Sequence, residues 1–143
     1  MFSKACKYAN NAMTYIATLP KETDRVGLKD ISKSTDSPEA FTAKILQVLV
    51  KNHLLISIKG PNGGFMIRGN PEEIFLGQIV EAIDGDVLFT GCALGLESCN
   101  AKHPCAVHHK FIAIRDHLAG MLMTTSLKEV ANGITSGTNF LRL

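Results

Sequence analysis

The chain has 143 residues, of which 45% are hydrophobic and 20% charged, with a formal net charge of +2. That length suits one compact domain or one domain with an appendage, and the apolar content excludes a chain disordered over most of its length. No apolar run approaches the roughly 20 residues that cross a bilayer, and the start, Met-Phe-Ser-Lys-Ala-Cys-Lys, lacks an apolar signal-peptide core, so a soluble, cytoplasmic protein without membrane contact is expected.

The charge is unevenly spread. Residues 1–70 carry ten Lys/Arg against five Asp/Glu, whereas residues 71–143 carry five against eight. A basic first half favours a polyanionic partner. The cysteines are uneven too: Cys6 stands alone, while Cys92, Cys99 and Cys105 fall within fourteen residues beside His103, His108 and His109. Without a secretion signal, such a group reads first as metal-binding or redox chemistry.

In chain order, Tyr8, Ala9, Ala12, Met13, Ile16 and Leu19 recur at helical spacing, predicting a first helix over 4–19 that ends at Pro20. Residues 28–35 form a short second helix with Leu28 and Ile31 inward. A third is predicted over about 38–52, with Ser37 as its N-cap and Pro38 in its first position. It buries Phe41, Ile45, Leu46 and Leu49, with Val48 at the edge. Two short strands, 54–58 and 65–68, flank the Gly/Pro/Asn tip of a hairpin. Three helices followed by a hairpin is the order of a winged helix-turn-helix, in which the third helix enters the major groove and the hairpin is the wing.

Residues 76–83 predict a further amphipathic helix closed by Asp84-Gly85, and residues 91–105 a loop. A long helix over about 106–124 aligns Val107, Phe111, Ile114, Leu118, Met121 and Leu122 on one stripe, for which a second copy of the chain is the natural cover. Ser126 caps a last short helix, and residues 133–143 look loosely ordered. The expected fold class is mainly α with a small β-hairpin. Its expected parts are a winged helix-turn-helix over 1–85, a cysteine-rich loop over 86–105, and a dimerisation helix with its tail over 106–143.

The first helix with Lys7-Tyr8-Ala9, LKDISKST, KILQVLVKNHLL, the wing KGPNGGF and PEEIFLGQIVEAIDG together resemble the Rrf2 family of bacterial transcription regulators across about residues 3–132. The resemblance implies a homodimer on a pseudo-palindromic operator in double-stranded DNA. Ser37, Thr42, Lys44 and Gln47 can donate to phosphates or bases from the exposed side of the third helix, Ala40 and Ala43 let it sit deep, and Glu39 can accept from a cytosine amine. Gly60, Gly63 and Gly64 shape the wing tip, from which Lys59 and Asn62 can reach the minor groove. The family often carries Arg at the position of Lys59 and Tyr at that of Phe65.

Thiolates spaced C-x6-C-x5-C are soft ligands for an iron–sulfur cluster, zinc or Cu(I). The resemblance to the IscR/NsrR branch implies a 2Fe–2S cluster on Cys92, Cys99, Cys105 and His108, with zinc as the lesser reading and His103 and His109 as rival fourth ligands. The CymR branch implies the alternative: a cluster-free regulator controlled by a protein, a small molecule or thiol chemistry. Cys6, at the start of an apolar helix, reads as a small packed residue. An enzyme is not expected, because the chain has no C-x2-C redox pair, no phosphate-binding glycine fingerprint and no nucleophile–base spacing.

Overall fold

The computed structural model of the chain describes residues 1–141. It is mainly helical with one two-stranded sheet, in the order α1 (Lys4–Thr18), α2 (Leu28–Thr35), α3 (Glu39–Lys51), β1 (Leu55–Ile58), β2 (Gly64–Ile67), α4 (Leu76–Asp84), α5 (Val87–Thr90), α6 (His108–Thr124) and α7 (Leu127–Thr135). Among the described residues, no helix is long and apolar enough to cross a membrane.

α1 starts where Ser3 Oγ accepts the Cys6 N–H at 3.0 Å. Its inward face is Cys6, Ala9, Ala12, Met13 and Ile16, and the two alanines let neighbouring helices approach closely. Cys6 is fully buried there, as its packed reading requires. α2 ends at Asp36, which takes up the left-handed conformation (φ 51°) and turns the chain into α3. Tyr8 and Phe41 meet edge to face, 5.6 Å between ring centres, and fasten the first turn of α3 to α1.

β1 and β2 are antiparallel, with Leu55 opposite Ile67 and Ile58 opposite Gly64. Val26, just before α2, adds a third short rung: it exchanges both backbone hydrogen bonds with Phe65 at 2.9 Å. The wing is thereby tied to the helical body at its root. The core gathers Met13, Ile31, Leu46, Leu49, Leu55, Ile79 and Leu127, all less than 2% exposed.

α7 begins with Ser126 Oγ accepting the Glu129 N–H at 3.1 Å, the cap expected from sequence. The helix runs to Thr135, further than the loosely ordered segment assumed from residue 133; Arg142 and Leu143 lie outside the described residues. It packs on α1 and places Leu127 in the same core as the winged unit. α5 was not expected; four residues are too few for a periodic signal.

The stripe of α6 divides. Leu122 is buried with Cys6 and Val80 in a second apolar cluster, against which Leu118 packs, so this end covers itself within one chain. Ile114 and Met121 are 66% and 48% exposed.

Candidate DNA interface and thiol loop

α3 presents Glu39, Ala40, Lys44 and Gln47 to solvent, with Ala43 half-buried between them. Thr42 does not belong to that set. It is only 3% exposed, and its Oγ1 lies 2.9 Å from the Pro38 carbonyl oxygen and 2.5 Å from Ser37 Oγ. A donor to DNA was expected there, but the helix rolls Thr42 inward beside Ile45 and Leu46.

Ser37 also differs from expectation. The helix starts at Glu39, with Pro38 in the capping position, and no side chain caps it. Ser37 Oγ instead joins Thr35 Oγ1 at 2.7 Å and Thr42 Oγ1, and stays half-buried at the edge of the exposed face. Thr35, absent from the sequence-based set, is buried and supports Ser37 from behind; two threonines flanking a serine near a helix start were the available signal.

At the wing, Lys59 and Asn62 are exposed on the tip. Of the three glycines expected to shape the wing tip, only Gly60 does so through a positive φ, at 112°. Gly63 and Gly64 are needed for space. A Cβ on Gly63 would strike the Ile58 carbonyl, and one on Gly64 would lie 2.6 Å from the Val26 carbonyl oxygen. Arg68 Nη1 lies 3.4 Å from His53 Nδ1 across the root of the wing.

The thiol loop leaves α5 and returns at α6. Its four expected donors meet two by two. Cys99 Sγ lies 3.5 Å from His108 Nδ1, and Cys105 stands near enough to Cys92 to lower its pKa. The Leu96 and Leu94 N–H groups, then Cys105 and the Gly95 N–H, lower the Cys92 pKa from its ordinary 9.0 against the opposing effect of burial. Among the described residues, no three His, Cys, Asp or Glu side chains stand close enough together to hold a metal ion. The single set of four implied by the family resemblance is therefore not assembled in this conformation. His103 and His109 are exposed; the His109 ring meets that of His108 edge to face at 5.1 Å.

His108 is 4% exposed, and its Nε2 is buried without a hydrogen-bond partner among the described residues. A buried imidazole nitrogen left unmatched costs free energy unless a ligand or proton uses it. The donor chemistry, three thiols and one such imidazole, suits a soft metal centre; its assembly requires the two pairs to close on each other.

One residue that spacing did not reveal anchors the loop. Arg115, on α6, has a side chain 13% exposed and donates from Nη1 to the Thr90 and Gly91 carbonyls, both at 3.3 Å. Those carbonyls immediately precede Cys92. The contact spans 24 and 25 residues, beyond the reach of any local pattern.

The chain matches the family Rrf2, described as iron-dependent transcriptional regulator, over residues 2–133. It is 32% identical over 126 residues to the HTH-type transcriptional regulator IscR of Pectobacterium atrosepticum, covering 88% of this chain and 76% of that one. The fold is similar to that of CymR, the global cysteine regulator of B. subtilis (TM-score 0.77, 23% identity, 92% of this chain and 96% of that one). It is equally similar to that of T. potens IscR (TM-score 0.76, 18% identity, 98% and 92%); these two likenesses concern fold alone. The matched family consists of transcriptional regulators rather than enzymes, and a winged helix with an exposed α3 and wing is the part that such regulators apply to DNA. The chain belongs to the Rrf2 family of transcriptional regulators, as an IscR-like, DNA-binding winged-helix protein.

Proposed function

We propose that the protein is a homodimeric regulator acting in the cytoplasm, whose grip on a pseudo-palindromic operator is set by a 2Fe–2S cluster held by Cys92, Cys99, Cys105 and His108. The observation that carries the reading is the donor set itself: three free thiols on one loop and, at its end, a buried imidazole whose Nε2 has no partner among the described residues. When bound, a cluster of this kind supplies a centre sensitive to iron supply, oxidants and nitric oxide. The chain's own residues do the rest. His108 opens α6, so a ligand on it orders the start of that helix; Cys92 and Cys99 tie in the loop that follows α5; Arg115 holds the near end of that loop.

Residues 1–85 bind DNA in this reading, 86–105 hold the cluster, and 106–143 carry the dimer contact through the exposed Ile114 and Met121. Ser37, Glu39, Ala40, Ala43, Lys44 and Gln47 face the major groove; Lys59, Asn62 and the backbone at Gly63 and Gly64 meet the minor groove. Two copies of α3 then address half-sites about 34 Å apart.

The test is anaerobic purification followed by visible absorption, iron and sulfide content, and DNA titration at one salt concentration. Expected are a red-brown protein and an operator affinity of the cluster-loaded form that differs by about 5- to 150-fold from that of stripped protein, with Cys99→Ala shifted toward the stripped form. Lys59→Ala should weaken binding to all duplexes and reduce the salt slope by up to about one. Equal affinity of all three forms refutes control by the cluster.

A second reading, control by thiol chemistry without a cluster, is favoured by the nearness of Cys105 to Cys92, whose pKa it helps to lower, and by free thiols at Cys92, Cys99 and Cys105. A colourless protein whose DNA affinity changes on mild oxidation and recovers on reduction supports it instead.

A further inference from the structure

The turn between α2 and α3 holds three hydroxyl groups in a row. Ser37 Oγ lies 2.7 Å from Thr35 Oγ1 and 2.5 Å from Thr42 Oγ1. Thr35 Oγ1 also lies 2.9 Å from the Ile31 carbonyl, and Thr42 Oγ1 2.9 Å from the Pro38 carbonyl. Both threonines are buried and Ser37 is half-buried, so water reaches the row only at Ser37.

Each hydroxyl owns one hydrogen. Three hydrogens therefore serve four contacts of 2.9 Å or less. With all three hydrogens kept inside, one contact is always unfilled, and the Ser37 hydrogen points inward. The alternative is for both threonines to donate to Ser37. Both hydroxyl–hydroxyl contacts are then filled, as they are in the inward chain from Thr35 through Ser37 and Thr42 to the Pro38 carbonyl, but the Ser37 hydrogen turns outward and an acceptor outside the protein takes the third hydrogen bond. The carbonyls given up are helix acceptors already: Pro38 O takes the Thr42 N–H at 2.9 Å, and Ile31 O is the acceptor four residues before Thr35 in α2. A hydroxyl that accepts two hydrogen bonds is polarised into a stronger donor, and such a donor is best matched by a charged acceptor.

We propose that Thr35 and Thr42 are positioning residues that turn Ser37 into a fixed, polarised hydrogen-bond donor for one backbone phosphate of the DNA. The proposal rests on the reading that Ser37 faces DNA. A lone hydroxyl separates the four bases poorly, so this contact adds affinity and register rather than sequence choice.

The test uses full-length protein and a duplex selected from random sequence by the wild type, with single methylphosphonate replacements scanned across each half-site. Ser37→Ala, Thr35→Val and Thr42→Val are each expected to weaken binding about tenfold, the loss of one charge-assisted hydrogen bond, on the selected and on random duplexes alike. One methylphosphonate position should weaken the wild type by a similar factor and leave all three variants unmoved. Thr42→Ser, which keeps the hydroxyl, should restore binding, and the double variant Ser37→Ala/Thr42→Val should be no weaker than Ser37→Ala. Should Thr42→Val lower the melting temperature markedly, Thr35→Val and the Thr42→Ser rescue carry the test.

Ser37→Ala weak but both valine variants at wild-type affinity would overturn the positioning role while leaving Ser37 at the DNA. A loss confined to one base identity, with no sensitive phosphate, would overturn the choice of acceptor. Wild-type binding by Ser37→Ala would remove Ser37 from the interface, and the proposal with it.

Discussion

Replacing Gly64 with alanine tests the attachment of the wing to the helical body. The new Cβ would stand 2.6 Å from the Val26 carbonyl oxygen and 2.8 Å from its carbon, both backbone atoms that no rotamer change can move aside. The rung between Val26 and Phe65 must open, with loss of its two 2.9 Å hydrogen bonds. At about 0.5–1.5 kcal/mol each, the loss is about 1–3 kcal/mol. Val26 and Phe65 are 7% and 8% exposed, so their displacement also disturbs core packing. For a domain of this size the melting temperature should fall by roughly 5–10 °C. Thermal unfolding followed by circular dichroism measures the fall, and DNA titration should show weaker binding because the tip carrying Lys59 and Asn62 shifts. Gly27→Ser is the control, since a Cβ there meets no atom within 4 Å. Gly27 is the N-cap of α2, so serine should stabilise by a few tenths of a kcal/mol. Gly64→Ala melting within about 1 °C of wild type, with unchanged DNA affinity, would refute the role of the rung.

Burial pushes the Cys6 thiol up from 9.0 to about 11, helped by the charge and hydrogen bonding of Asp84. The folded state thus holds this proton more tightly than the unfolded chain, so the stability difference between wild type and Cys6→Ala should be constant below pH 9 and shrink as pH rises from 9 to about 11; parallel stability curves across that window would contradict it. Iodoacetamide at pH 8 should alkylate Cys92, Cys99 and Cys105 before Cys6, read by peptide mass spectrometry, and early labelling of Cys6 would count against its burial. Arg115→Met should speed proteolysis and hydrogen exchange within 91–105 without altering exchange in α2 and α3; unchanged protection of the loop would show that the two carbonyl contacts do not hold it. Ile114→Glu should leave the helical content intact while sedimentation falls to that of a monomer at micromolar concentration, and a persisting dimer would place the contact elsewhere.

The winged unit was legible in the sequence because each element carries its own local signal. The spacing of Ala9, Ala12, Met13 and Ile16, the hairpin tip Gly60-Pro61-Asn62-Gly63, and Ser126 before Leu127 each act within a few residues. The misplacement of Thr42 shows where that logic stops. Its position on a helical wheel borders both faces, and a threonine is polar enough to count as exposed. Only the packing of α2 against α3 decides that its hydroxyl turns toward Ser37 and Thr35. Gly63 and Gly64 mislead in a similar way, since a glycine chosen for space looks the same in sequence as one chosen for its backbone angle. For the thiol loop, spacing identified the donors but not their grouping. The pairing of Cys92 with Cys105 and of Cys99 with His108, and the hold of Arg115 on Thr90 and Gly91, depend on how α6 lies against α5.

The way α6 is fastened has a mechanical consequence. Near its C-terminus the helix is fixed by buried Leu122, by the Leu76 N–H on the Thr125 carbonyl at 3.1 Å, and by the Leu127 N–H on the Ile74 carbonyl at 2.7 Å. His108 lies fourteen residues before Leu122, about 21 Å at 1.5 Å per residue. Because Arg115 also holds the Thr90 and Gly91 carbonyls, α6 acts as a lever about Leu122 only when the end of α5 moves with it. A tilt of about 5° there swings His108 through roughly 2 Å while the fulcrum stays still. Any closure of the two donor pairs that displaces His108 is then passed along the helix as a rigid-body rotation. The apolar residues midway along the lever, Ile114 and Leu118, must travel with it. In a dimer joined there, the angle between the two winged units would follow.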